Sequence, residues 1–145
     1  MATVRDILAI KGSQVLSIAP QVTVLDAAVI MNQHKIGGLL VMEAGQIRGI
    51  VTERDILLKV VALRRDPGAT LVRDIMTPDV ICCQPHTTLD ELRGVMKNRR
   101  IRHVPVVDGG QVVGLVSIGD LNAFQANNQE QTIHLLRAYI QGHAM

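Results

Sequence analysis

The apolar residues of this chain follow the same series of patterns twice. In each copy a short apolar segment precedes a stretch with helical spacing, then two alternating segments joined by a Gly-containing turn, and then a second helical stretch. For the first copy we predict a helical turn at Val4–Leu8, a strand at Val15–Ile18, a helix capped by Thr23, strands at Leu39–Met42 and Gln46–Val51, and a helix at Glu53–Leu63. For the second copy we predict the same elements at Val72–Met76, at Val80–Cys83, after the cap Thr88, at Val104–Val107 and Gln111–Val116, and at Ile118–Gln125.

The two copies are an internal duplication. Shifted by 65 residues, Thr23–Ile56 aligns with Thr88–Leu121 without a gap and with nine identities, and Val4–Ile7 recurs verbatim as Val72–Ile75. We therefore predict an α/β fold of the α+β type, with two pseudo-twofold-related repeats, each a small sheet packed with two helices. The predicted boundaries are repeat 1 at 1–64, a linker at 65–70, repeat 2 at 71–126, and a C-terminal helix and tail at 127–145, with the helix at Thr132–Ile140. Packing of the repeats sheet to sheet predicts a cleft with two related half-sites.

Composition narrows the function classes. Hydrophobic residues make up 48% of the chain, yet it has one Phe, one Tyr and no Trp, which argues against nucleic-acid recognition by base stacking. A formal net charge of +2 is too small to indicate an electrostatic partner. No apolar run is long enough to span a membrane, and the N-terminus lacks the apolar core of a secretory signal. We expect a cytoplasmic protein with reduced thiols and no membrane partner.

The end of each predicted hairpin carries the clearest candidate chemistry. Gly49–Asp55 and Gly114–Asp120 each place a hydroxyl residue at a strand end and a carboxylate three positions later. Free N–H groups at a helix N-terminus favour an anion such as phosphate, and a carboxylate can accept hydrogen bonds from a sugar diol. The same spacing is that of a capping box, in which Asp55 or Asp120 only satisfies its own helix. The spacing leaves both interpretations open.

A basic segment distinguishes the second copy from the first. Lys97, Arg99 and Arg100 lie near a predicted helix C-terminus, where basic side chains are usually solvated. Arg102 and His103 lie at the start of the next strand, where they could neutralise phosphates.

Catalytic and metal chemistry is not indicated. Cys82 and Cys83 are adjacent and lack a metal-binding spacing, so we interpret them as buried small apolar residues rather than redox groups. The sequence contains no P-loop, and no nucleophile with a base and an orienting group recurs in it. A non-enzymatic binding module therefore fits better than an enzyme.

The repeated strings resemble those of cystathionine-β-synthase (CBS) domains. They are Gly49–Asp55, Arg100–Val107 and Gly114–Asp120, and the chain as a whole is similar to a stand-alone CBS-domain pair from about Val4 to Ala126. The resemblance implies a regulatory module that binds an adenosine-type ligand, such as AMP, ADP, ATP, NAD(H) or S-adenosylmethionine, in the cleft. It also implies a homodimer formed through the helices, an effector protein regulated in trans, and neither a metal nor a catalytic cofactor.

By this resemblance the ligand contacts can be assigned residue by residue. Asp55 and Asp120 would hold ribose hydroxyls, and Thr52 and Ser117 would contact ribose or phosphate. Arg54, Arg102 and His103 would face phosphate groups. The remaining implied ligand contacts, most of them lining the adenine pocket, are Ser17, Ile18, Ala19, Cys82, Cys83, Val104, Pro105 and Ile118.

The two copies differ at these positions, so unequal sites are expected. The first has Gly37 and Gly38 where the second has Arg102 and His103. The basic pair favours a phosphorylated ligand over cationic S-adenosylmethionine. The alternatives that remain are a constitutive protein-interaction module, a nucleic-acid-associated protein using the basic helix end, and a redox-responsive protein working through the adjacent cysteines.

Overall fold

The computed structural model describes residues 1–127, and within them the elements follow the predicted order. Their bounds are α1 Val4–Lys11, β1 Ser17–Ile18, α2 Val24–His34, β2 Gly38–Glu43, β3 Gln46–Thr52, α3 Glu53–Ile56, a π-helical segment Leu57–Val61, α4 Val72–Ile75, α5 Leu89–Arg99, β4 His103–Asp108, β5 Gln111–Ser117, and a final helix α6 at 118–127. The helix predicted at Thr132–Ile140 lies outside the described residues. No helix of the described part is long and apolar enough to cross a membrane.

The chain folds into two compact units. The repeat-1 unit comprises Gln14–Cys82, and the repeat-2 unit comprises Met1–Ser13 together with the described residues from Cys83 onward. Each unit has its own apolar core, in which one face of α2 or α5 packs on the sheet. The fully buried side chains are aliphatic, as a composition almost without aromatic residues requires.

The Val-Arg-Asp-Ile segments are exchanged between the repeats. The N–H of Val4 donates to Thr87 O at 2.9 Å in the repeat-2 unit, and the N–H of Val72 donates to Val22 O at 2.8 Å in the repeat-1 unit. Each unit therefore combines the sheet of one repeat with the first helical segment of the other. The compact units therefore do not coincide with the sequential repeats. Aligning the repeats at a shift of 65 residues does not show which copy a segment packs on.

The repeat-1 sheet has the order β1-β2-β3, with β1 parallel to β2 and β2 antiparallel to β3. The predicted hairpin turns are confirmed in both repeats: Ala44 and Gly45, like Gly109 and Gly110, have positive φ at both central positions.

The strand predicted at Val80–Cys83 is wrong except for one residue. Cys83 forms an isolated parallel bridge to Val106, with its N–H on Pro105 O at 2.9 Å and its carbonyl accepting from Val107 N at 2.8 Å. The next bond of that ladder would need an N–H at Pro105, which proline lacks. The first copy has Leu40 at this position, and there the ladder continues over Ser17–Ile18.

Two further predictions need correction. The helix predicted at Glu53–Leu63 is α-helical only over Glu53–Ile56, after which Ala62 N bonds to Leu57 O with π-helical spacing.

Cys82 is exposed, so its interpretation as a buried residue is wrong, whereas Cys83 is partly buried against the core. Burial of part of its surface raises the pKa of the Cys82 thiol, which disfavours the reactive thiolate.

The linker between the repeats forms a compact turn. The Asp66 carboxylate accepts from Gly68 N at 2.9 Å, and the Thr70 hydroxyl donates to Asp66 O at 2.7 Å. Pro67 O accepts from Leu25 N at 3.0 Å and so satisfies a donor in the first turn of α2.

Candidate functional site

In the repeat-2 unit, five predicted site residues meet at the open end of the β4–β5 hairpin. His103 lies opposite Ser117 in the register, and Arg102 O accepts from Ile118 N at 2.8 Å. Asp120 follows in the first turn of α6. The antiparallel pairing thus brings together the basic pair and the hydroxyl-to-carboxylate string, which are more than ten residues apart in sequence.

Ser117 and Asp120 form a complete capping box. Asp120 Oδ2 accepts from Ser117 N at 2.8 Å, and Ser117 Oγ accepts from Asp120 N at 3.1 Å. The structural interpretation of the spacing is therefore correct. The box uses only one carboxylate oxygen, and within residues 1–127 Oδ1 of Asp120 is available for a further hydrogen bond.

Lys11, from the end of α1, also contacts this carboxylate. Its Nζ lies 2.6 Å from Asp120 Oδ2 and 2.6 Å from Leu115 O. Burial alone would raise the pKa of Asp120, but the Lys11 ammonium and the Ser117 N–H together hold that pKa below its usual value. Asp120 is therefore a carboxylate at neutral pH, suited to accepting hydrogen bonds.

In the repeat-1 unit the same arrangement forms with different neighbours. Gly38 lies opposite Thr52, and Gly37 O accepts from Glu53 N at 2.9 Å, so no side chain beyond a hydrogen atom stands where Arg102 and His103 stand in the other unit. Asp55 Oδ2 accepts from Thr52 N at 2.9 Å and from the Thr52 hydroxyl at 3.1 Å.

The two carboxylates differ in how much bonding capacity remains. Lys59 Nζ lies 3.2 Å from Oδ1 of Asp55, so both oxygens of that carboxylate have protein partners. Asp120 has no partner on Oδ1 among residues 1–127. The Asp55 side chain is 13% exposed and the Asp120 side chain 25% exposed. Asp120 is thus the better placed of the two to accept a bond from a ligand.

The other predicted ligand contacts include both exposed and buried residues. Arg54, Arg102, Ser17 and Ala19 are exposed, whereas Ile18, Val104 and Pro105 are buried and can offer a ligand only their backbone or an apolar edge. The cleft predicted between the repeats stays a prediction.

Lys11 and Lys59 are site residues that the sequence analysis missed. Lys59 lies four positions after Asp55 on the same helical stretch, a spacing that could have identified it. Lys11 is separated from Asp120 by 109 positions and reaches it only because α1 packs in the repeat-2 unit. No local pattern could have identified that pair.

A shallow groove of about 560 Å³ lies elsewhere in the repeat-1 unit, and none of the predicted ligand contacts lines it. Its lining residues are Ala28, Met31, Asn32, Lys35, Ile36, Gly37, Glu53 and Ile56. Within residues 1–127, no group of three His, Cys, Asp or Glu side chains could hold a metal ion.

Comparison with known proteins places this chain in a family. The profile of the CBS domain matches residues 4–62 and 72–127. The CBS domain-containing protein YhcV of Bacillus subtilis is 35% identical over 129 residues, which cover 89% of each chain.

Solved structures show the same fold. A protein with CBS domains from Burkholderia ambifaria superposes with a TM-score of 0.85 at 40% identity, over 88% of this chain and 96% of that one. The CBS domain pair of protein MJ0100, solved in complex with 5′-methylthioadenosine and S-adenosyl-L-methionine, superposes with a TM-score of 0.78 at 28% identity, over 88% and 98% of the two chains.

Proposed function

This chain belongs to the CBS-domain family, and we propose from that premise that it senses an adenosine nucleotide and regulates a partner protein in trans. A CBS-domain pair is a regulatory module. The proposal names the class of ligand, the residue that makes its principal contact, and the way in which ligand binding alters contacts with a partner protein. We expect no turnover of the ligand.

The Asp120 half-site carries the proposal. A ribose offers two adjacent hydroxyl donors, and Asp120 offers one acceptor oxygen without a partner in the described residues, on a carboxylate held in place by its capping box. Each carboxylate oxygen can accept two hydrogen bonds, so Asp120 Oδ1 can accept both hydroxyls of a diol, whereas Asp55 Oδ1 already accepts Lys59 and can accept only one of them unless Lys59 moves away. We therefore expect Asp120 to form the stronger of two unequal sites.

The neighbouring charges favour a phosphorylated ligand. Arg102 is exposed beside His103 at the hairpin end that also carries Ser117, and a guanidinium binds phosphate oxygens well. AMP, ADP, ATP and NAD(H) all combine a ribose diol with phosphate. The related MJ0100 pair was solved with two adenosine compounds, which supports the adenosine class.

A homodimer formed through the helices is the proposed means of signalling. Large apolar side chains are exposed on and just after the π-helical segment of the repeat-1 unit, including Leu57, Val61 and Leu63, at 57%, 61% and 64%. Apolar surface of this kind is covered in many regulatory assemblies. A ligand that binds one arrangement of the dimer more tightly would shift its population and so alter contacts with an effector.

Thermal unfolding with AMP, ADP, ATP, NAD, NADH and S-adenosylmethionine tests the ligand assignment. A ligand at one hundred times its Kd adds about 2.7 kcal/mol to the free energy of unfolding, which corresponds to a rise in Tm of roughly ten degrees for a chain of this size. We expect a rise with phosphorylated ligands, abolished by Asp120→Ala and only reduced by Asp55→Ala. Absence of any rise in the wild type, or loss only in Asp55→Ala, would contradict the proposal.

A further inference from the structure

Lys11 is a cation held in a fixed position beside the Asp120 carboxylate. α1 ends at Lys11 because Gly12 adopts a φ of 93°, and the first turn of α1 is anchored by the bond from Val4 N to Thr87 O. The ammonium is therefore delivered by a helix that is fixed at its other end, rather than by a free loop.

The ammonium retains bonding capacity. A lysine ammonium has three N–H donors, and two of them are used, one on Asp120 Oδ2 and one on Leu115 O. Within residues 1–127 the third donor has no acceptor, and the Lys11 side chain is 38% exposed. A ligand oxygen could therefore approach it without displacing either existing bond.

The balance of charge differs between the two half-sites. In the repeat-2 unit, Lys11 offsets the charge of Asp120, and Arg102 at the same hairpin end forms no ion pair within residues 1–127. In the repeat-1 unit, Lys59 pairs with Asp55, and the sequence neighbours Glu53 and Arg54 carry opposite formal charges. The Asp120 half-site is thus cationic, whereas the Asp55 half-site is close to neutral.

We propose that Lys11 is a specificity-determining residue of the Asp120 half-site, which uses its third N–H to select 5′-phosphorylated adenosine compounds over neutral or cationic ones. This inference rests on the proposed function, because it presupposes that Asp120 accepts the ribose. It assigns the choice of ligand to a residue that lies outside the aligned blocks of the repeats and that α1 brings to the site.

Isothermal titration of the full-length protein with AMP, adenosine and S-adenosylmethionine tests the inference. Lys11→Met keeps much of the side-chain length and removes the charge, so AMP should bind at least about tenfold more weakly, as expected for loss of a charge-assisted hydrogen bond. Adenosine should bind within about threefold of its wild-type affinity, and S-adenosylmethionine should bind no more weakly than before. Lys11→Arg should restore most of the AMP affinity. Lys97→Met, which removes an exposed lysine from the same unit, should change none of the three affinities.

The outcomes separate this inference from the proposed function. Equal weakening of AMP and adenosine in Lys11→Met would show that Lys11 only positions α1, and unchanged AMP affinity would show that it makes no contact; either result overturns the inference while the nucleotide sensor stands. A wild-type protein that binds neither AMP nor adenosine would overturn both.

Discussion

Each unit contains one Val-Arg-Asp-Ile segment, and the two units differ in where the helix formed by this segment ends. In the repeat-1 unit this segment leaves the helix after Ile75, and Thr77 exchanges two backbone hydrogen bonds with Ile50, at 3.0 and 2.9 Å. In the repeat-2 unit α1 continues to Lys11, and Leu115, the counterpart of Ile50, accepts from the Lys11 ammonium instead.

A proline accounts for this difference. Pro78 stands where the first copy has Ile10, and the residue before a proline disfavours helical backbone, so α4 ends early and its chain pairs with the sheet edge. Duplication has kept the capping boxes of the two half-sites, whereas divergence outside the aligned block has changed which lysine reaches each carboxylate. The cation beside each carboxylate is therefore decided by segments outside the aligned block, whereas the difference between Arg102-His103 and Gly37-Gly38 lies within it.

The largest expected effect concerns the exposed apolar helix face of the repeat-1 unit. Val61→Glu places a charge on this face, and we expect the proposed homodimer to dissociate because burying an unpaired carboxylate is costly. Light scattering coupled to size-exclusion chromatography gives the mass directly. Gln46→Glu, which adds the same charge at a hairpin turn, should leave the dimer intact. A dimer of unchanged stability in Val61→Glu would show that this face is not the interface.

The next largest effect is a difference in the free energy of unfolding between alanine variants of two equivalent glycines, Gly49 and Gly114. A Cβ at Gly49 would lie 2.8 Å from Thr77 O, a backbone atom, whereas a Cβ at Gly114 would lie 2.6 Å from the end of the Leu8 side chain, which can rotate away. We expect Gly49→Ala to lower the free energy of unfolding by about 2–3 kcal/mol and Gly114→Ala by about 1 kcal/mol or less.

Urea unfolding at fixed protein concentration measures the glycine comparison. Gly94→Ala is the matched control, because that helical glycine has no atom within 4 Å of an added Cβ and alanine should stabilise it by about 0.5–1 kcal/mol. A Gly114→Ala variant as unstable as Gly49→Ala would show that Leu8 is held as rigidly as the Thr77 backbone.

The sequence was sufficient for the turns and caps, although local spacing did not predict the π-helical segment after Ile56. The hairpins, the Thr23 and Thr88 caps and the hydroxyl-to-carboxylate boxes were all predicted, because each is determined within a few residues. The missing strand beside Cys83 depends on the absent N–H of Pro105, and so on which strand lies next to it. The Lys11 contact depends on the exchange of α1 between repeats. Long-range pairing of this kind leaves no local pattern to detect.

The smallest expected effect is the pH dependence that the Lys11–Asp120 pair confers on stability. The pKa of Asp120 is lowered in the folded protein, since the Lys11 ammonium and the Ser117 N–H outweigh the effect of burial. The unfolded state therefore binds the proton more tightly, so the stabilisation is fully present above the unfolded value of about 3.9 and is lost as pH falls through the folded pKa. Because Lys11 is 38% exposed, the pair should contribute only on the order of 0.5 kcal/mol.

Urea unfolding between about pH 2 and 6 measures this contribution. The stability difference between wild type and Asp120→Asn should grow as pH rises through this range. Lys11→Met, which keeps the carboxylate but removes its cation, should show part of the same loss. If both variants ran parallel to the wild type at every pH, the ion pair would contribute nothing to folding. Lys11 would then owe its position to the packing of α1 and to its bond with Leu115 O, and a ligand could draw its ammonium away from Asp120 at no cost in stability.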